Sequence, residues 1–118
     1  MKNEATGLKR IFTAFGFSIK GLKTCYQSEA SFRQEVWLAL VLIPLALVFG
    51  QSSLEKVVLI AAVFLVLIVE ILNSAIESVV DRIGNDYHEL SGAAKDMGSA
   101  AVWLSLILLI ITWLIILI

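Results

Sequence analysis

Leu8, Ile11, Phe12, Phe15, Ile19 and Leu22 recur at offsets 0, +3, +4, +7, +11 and +14, while Lys9, Arg10, Lys20 and Lys23 fall mostly between them. That spacing predicts an amphipathic helix with one apolar face. Cations interrupt the segment too often for a secretory leader. The helix, over about 6–24, is therefore expected to lie in a membrane interface with its cations among anionic headgroups. Three apolar runs follow. Val36–Phe49 is 14 residues without a charge, broken only by Pro44 and ended by Gly50-Gln51-Ser52-Ser53. A membrane span needs about 20 residues, so this helix is expected over about 29–49, with Arg33, Gln34 and Glu35 in the interfacial layer. Val57–Val69 is a second run, and its apolar pattern continues through Glu70, Asn73, Ser74 and Glu77 to Val80, predicting a span over about 54–82. Ala100–Ile118 is a third run of 19 residues, polar only at Ser105 and Thr112, and predicts a span over about 95–118.

Composition supports one membrane-embedded domain over 1–118. The chain is 59% apolar and 16% charged, against about 45–50% and about 25% for a soluble domain, and its mean hydropathy is +0.93. A formal net charge of −1 excludes nucleic-acid binding by phosphate neutralisation. With one cysteine, Cys25, and one histidine, His88, there is no internal disulfide and no zinc cluster. Six of the nine cations (Lys2, Lys9, Arg10, Lys20, Lys23, Arg33) precede the first span. The positive-inside rule then places the N-terminus and the 81–96 segment in the cytoplasm and the 50–56 loop outside. Chemistry that uses ATP must draw on those cytoplasmic parts.

The second span carries the strongest chemical signal. Glu70, Asn73, Ser74, Glu77 and Asp81 stand at offsets 0, +3, +4, +7 and +11, one polar stripe down one helix face. A carboxylate near mid-membrane costs at least ~2.5–3.5 kcal/mol, so the stripe must face protein or water. Glu70 lies deeper, and Glu77 about 10 Å nearer the cytoplasm at 1.5 Å per residue. The deeper acid suits a general base and the shallower one a divalent cation. The plainer explanation is a set of polar contacts that fix an oligomer.

Three cytoplasmic groups add to the stripe. Lys95 beside Asp96 could set a cation against phosphate and a carboxylate near Mg²⁺, although a charged pair flanking a membrane helix is the commoner case. Glu29 precedes the first span, where an acid also suits the positive end of a helix. His88, in Asp86-Tyr87-His88-Glu89, is a candidate proton carrier or nucleotide contact, and a lone loop histidine is more often simply solvated. Neither a GxxxxGK[ST] phosphate loop nor a kinase glycine loop is present.

The run Val69-Glu70-Ile71-Leu72-Asn73-Ser74-Ala75-Ile76-Glu77-Ser78-Val79-Val80-Asp81-Arg82-Ile83-Gly84, followed by Tyr87-His88-Glu89-Leu90-Ser91-Gly92 and Ala94-Lys95-Asp96-Met97-Gly98-Ser99, closely resembles the small bacterial integral-membrane diacylglycerol kinases. The likeness extends to Glu29-Ala30 and Phe32-Arg33-Gln34-Glu35 and covers nearly the whole chain. It implies an all-α membrane protein: an N-terminal surface helix and three transmembrane helices, assembled as a homotrimeric helical bundle with active sites shared between subunits. The implied activity is ATP-dependent phosphorylation of diacylglycerol to phosphatidic acid, for lipid recycling, at the inner membrane of a Gram-negative bacterium, with Mg²⁺ as cofactor. By position, Glu70 resembles the proton acceptor, with Asn73 one turn along. Glu29 and Glu77 resemble the magnesium carboxylates. Around the nucleotide would stand Arg10, Phe17, Glu29, Glu77, Asp86, Tyr87, His88, Lys95 and Asp96. Lipid contacts would come from Arg10, Ala14, Ile19, Ser31, Phe32, Arg33, Gln34, Glu35, Glu70 and Ser99. Two positions depart from the family pattern, which usually has an aromatic hydroxyl at Phe17 and often tryptophan at Ile19.

Three other readings fit part of the pattern. An undecaprenol kinase of the same family differs only in its lipid alcohol. A small oligomeric proton or ion conductor would use Glu70 and Glu77 as a pathway but has no need of Glu29, Lys95 and Asp96. A structural membrane module would use the stripe for packing alone. Without the resemblance, the physical argument supports only an oligomer, because three helices shield a carboxylate stripe poorly.

Overall fold

The computed structural model describes residues 6–84 and 86–118. Lys2, counted among the N-terminal cations, and Asn85, in the loop after the second span, lie outside them. The described residues form four helices and no strand: α1 Gly7–Ser28, α2 Ala30–Phe49, α3 Ser53–Ile83 and α4 Glu89–Leu117. α2, α3 and α4 are each long and apolar enough to cross a membrane. α1 is amphipathic, and of its residues only Cys25 is buried.

Local chemistry sets the helix ends. α1 stops because Glu29 adopts an extended conformation (φ −117°, ψ 109°), and its N–H still closes the last turn onto Cys25 O at 2.9 Å. The Arg33 guanidinium donates to the carbonyls of Tyr26 and Gln27 at 2.8 and 2.9 Å, satisfying acceptors that a helix C-terminus leaves open. Ser52 starts α3 by accepting the Glu55 N–H at 3.1 Å, and Glu55 reaches back to the Gln51 N–H at 3.0 Å. Pro44 sits inside α2 without ending it, since a membrane helix tolerates the freed carbonyl.

The helix of the third span begins earlier than the 95 expected, because α4 already starts at Glu89. His88 supplies the reason: its Nδ1 accepts the Leu90 N–H at 3.1 Å, while Glu89 places an acid in the first turn. α1 also runs four residues past the 24 expected from its apolar face.

α3 is the central element, packed against both α2 and α4. Ala39, Ala62, Val63, Val66 and Leu109 form the buried core, with Leu42, Ile43, Leu67, Leu106 and Trp113 against it. The Trp113 indole donates to Leu59 O at 3.2 Å and ties α4 to α3 at the end away from the carboxylates. Most other large apolar side chains face outward, such as Trp37, Val48 and Ile115. In water this surface would aggregate, and in lipid it is the solvated one.

Candidate functional site

The α3 stripe is graded by burial within the chain. Glu70, Asn73 and Ser74 are buried at 5%, 8% and 9% exposure, Glu77 is half-buried and Asp81 is exposed. With 31 residues, α3 is about 46 Å long, longer than a hydrocarbon core of about 30 Å. Neighbouring helices then supply a second set of groups to the buried half.

From α2, the Glu35 carboxyl stands close to the Glu70 carboxyl. Oε2 of each is buried with no hydrogen-bond partner. Glu29, half-buried at the α1–α2 corner, and Glu77, one helical stretch along α3, both act on Glu70 electrostatically. Asn73 Nδ2 donates to Glu77 Oε1 at 2.9 Å and orients that carboxylate. From α1, the Cys25 thiol meets Ser74 Oγ at 3.7 Å. Burial pushes the Cys25 thiol above its ordinary value, the Ser74 hydrogen bond opposes this, and the charges of Glu29, Glu70 and Glu35 add to it. A groove of about 390 Å³ between α1 and α3 opens beside these groups, lined by Phe17, Thr24, Cys25, Ser28, Glu29, Ser74 and Ser78 among others.

Asp81, Asp86, Tyr87, His88, Ser91 and Lys95 line a depression of about 300 Å³ where α3 meets α4. Lys95 Nζ donates to Asp81 Oδ1 at 2.7 Å across its floor. Both side chains remain largely exposed, so the pair adds little to stability. The ammonium is nevertheless held among the residues that line the depression.

The structure thus gathers Glu29, Glu35, Glu70, Asn73 and Glu77 into one centre, and Asp86, Tyr87, His88 and Lys95 into an adjoining one. Other expected site residues lie apart in the single chain. Arg10 and Ala14 line a depression formed by α1 residues alone. Ile19, Ser31, Gln34, Asp96 and Ser99 are exposed. Phe32 is buried at 3% and helps line a mostly apolar depression of about 390 Å³ with Leu22, Tyr26, Val36 and Leu67. Sequence spacing missed three features: Arg33 closing α1, Cys25 against Ser74, and Glu35 beside Glu70. Each depends on a contact between helices that spacing along one helix does not register.

Among the described residues no group of three or more His, Cys, Asp or Glu side chains could hold a metal ion alone. A Mg²⁺ that arrives on nucleotide phosphates needs fewer protein groups, because that ion is commonly held by one or two carboxylates together with phosphate oxygens and water.

Fold and centre together define a helical membrane protein with an acid centre built on its middle span. The family model "Prokaryotic diacylglycerol kinase" matches residues 16–117. A relative from Escherichia coli K12 named diacylglycerol kinase is 54% identical over 117 residues, 99% of this chain and 96% of its own. Relatives of the same name from Pseudomonas aeruginosa and Helicobacter pylori are 50% and 44% identical, covering 92% and 93% of this chain and 88% and 86% of theirs. The chain belongs to the prokaryotic diacylglycerol kinase family.

Proposed function

We propose that this membrane diacylglycerol kinase uses Glu70 to accept the proton of the primary hydroxyl of diacylglycerol as the γ-phosphoryl group of ATP is transferred, giving phosphatidic acid and ADP. The carrying observation is Glu70 Oε2: a carboxylate oxygen buried on an apolar helix with no partner. A lipid hydroxyl can reach that depth and satisfy it. In the step, the hydroxyl proton passes to Glu70, the freed oxygen bonds to the γ-phosphorus, and the bond from that phosphorus to the β–γ bridging oxygen breaks. Asn73 keeps Glu77 oriented, and Glu35 supports the Glu70 carboxyl from α2.

Lys95, with Asp86, Tyr87 and His88, faces the nucleotide, joined by Arg10, Phe17 and Asp96. Glu29 and Glu77 would hold Mg²⁺, which supplies charge neutralisation and orientation of the phosphates. Ala14, Ile19, Ser31, Phe32, Arg33, Gln34 and Ser99 contact lipid. Several of these lie apart in one chain, which supports an oligomer, a homotrimer by the family likeness, whose sites draw residues from neighbouring subunits. Positive charge in the N-terminal flank supports a cytoplasmic N-terminus in an inner membrane.

Offering dioleoylglycerol and undecaprenol together with labelled ATP in mixed micelles tests the lipid assignment. Labelled phosphatidic acid is expected. Label in undecaprenyl phosphate alone would overturn the choice of lipid and leave the catalytic groups standing.

A further inference from the structure

We propose that Gly98 is a positioning residue for the carboxylate centre: by carrying no side chain, it lets α4 hold the Asn73 amide where that amide fixes Glu77. This rests on the reading of Glu77 as a nucleotide-side carboxylate. Gly98 is buried within α4, in the interior of a helix, where glycine is less favourable than alanine. Alanines occupy positions 100 and 101 just beyond it. A methyl group at Gly98 would collide with Asn73 Oδ1, and would lie 3.2 Å from Asn73 Cγ and 3.9 Å from Asn73 Cβ. All three nearest atoms belong to that one side chain. The space a Cβ would take is therefore the space Asn73 occupies.

No other glycine would press a methyl group into a buried side chain. A methyl group at Gly16, Gly21 or Gly84 would have nothing within 4 Å, at Gly50 it would meet Lys56 and the Ala46 carbonyl, and at Gly92 the Tyr87 ring. Asn73 has no freedom to yield outward, because it is buried at 8%. Its Nδ2 is committed to Glu77 Oε1 at 2.9 Å, and its Oδ1, turned toward Gly98, is buried without a hydrogen-bond partner. Close approach of helices at a small residue is a common device in membranes. Here it has a chemical consequence: displacing Asn73 releases a carboxylate that the reaction uses.

The test is a cycle of Gly98→Ala, Asn73→Ala and the double variant in the full-length protein, measuring turnover, the Mg²⁺ concentration at half-maximal rate, the KM for dioleoylglycerol and the thermal unfolding midpoint in detergent. Groups that support metal ligands typically change metal affinity or activity by about 10–100-fold. Gly98→Ala is expected to raise the half-maximal Mg²⁺ concentration by about tenfold and leave the lipid KM unchanged. The double variant should match Asn73→Ala in every measurement, since removing the amide removes the collision. Wild-type Mg²⁺ dependence in Gly98→Ala, or losses that multiply in the double variant, would overturn the proposal. If Gly98→Ala does not assemble, an assembled double variant behaving as Asn73→Ala supports it, and a double variant that also fails overturns it. An inactive wild type would remove the kinase reading instead. The unfolding midpoints then decide the Gly98 contact: equal midpoints for Asn73→Ala and the double variant support it, and additive losses overturn it.

Discussion

Glu70 combines two properties that rarely meet: it sits at 5% exposure on an apolar helix, and one of its oxygens has no partner. A carboxylate kept only for packing would be expected to have both oxygens satisfied, because an unpaired buried polar atom costs about 1–3 kcal/mol. Glu70→Gln should therefore lower turnover by at least about 10²-fold, the usual contribution of a positioned general base, with assembly intact by size-exclusion chromatography. Lys95→Ala should raise the KM for ATP while shifting the unfolding midpoint little, since its exposed pair with Asp81 is worth about 0–1 kcal/mol. Cys25 is buried, and its thiol is pushed above the ordinary value. Maleimide labelling at neutral pH should thus be slow in the folded protein and fast after denaturation, and should quicken as pH rises and the thiolate forms. At this scale the offsets of the stripe were readable from spacing alone, and its burial within the chain falls off toward Asp81. Gly98 was not readable, because a glycine reveals its purpose only when the atom filling its space is known.

Helix existence follows from apolar run length, and helix ends from short-range chemistry that run length ignores. α2 begins at Ala30 and α3 at Ser53, close to where the runs and the Gly50–Ser53 turn put them. α4 begins at Glu89 instead of near 95 because His88 caps it, a contact that hydropathy does not register. α1 runs on to Ser28 because Arg33, assigned by resemblance to lipid, also reaches back to the carbonyls of Tyr26 and Gln27. Ser52→Ala, which removes the cap of α3 at the end remote from the carboxylates, should cost about 1 kcal/mol. The measurement is a lowered unfolding midpoint at unchanged turnover. Arg33→Ala should loosen the end of α1, seen as faster proteolysis between α1 and α2 in detergent.

As a whole the chain is thin, 48 × 41 × 21 Å. Its smallest dimension is about two helix diameters, so one subunit forms a layer with broad apolar faces and no enclosed centre. That geometry explains why the exposed residues expected at the site on α1, α2 and α4 stay apart in one chain. It also supports assembly through those faces, and a protein mass near three subunits in detergent, after subtracting bound detergent, is the expected outcome. The most direct test of the central claim is phosphate transfer from ATP to dioleoylglycerol by the wild type and Glu70→Gln at matched oligomeric state. Robust transfer by the wild type, lost in Glu70→Gln with the assembly unchanged, is the predicted result. Transfer by Glu70→Gln at close to the wild-type rate would contradict the assignment of Glu70 as the base.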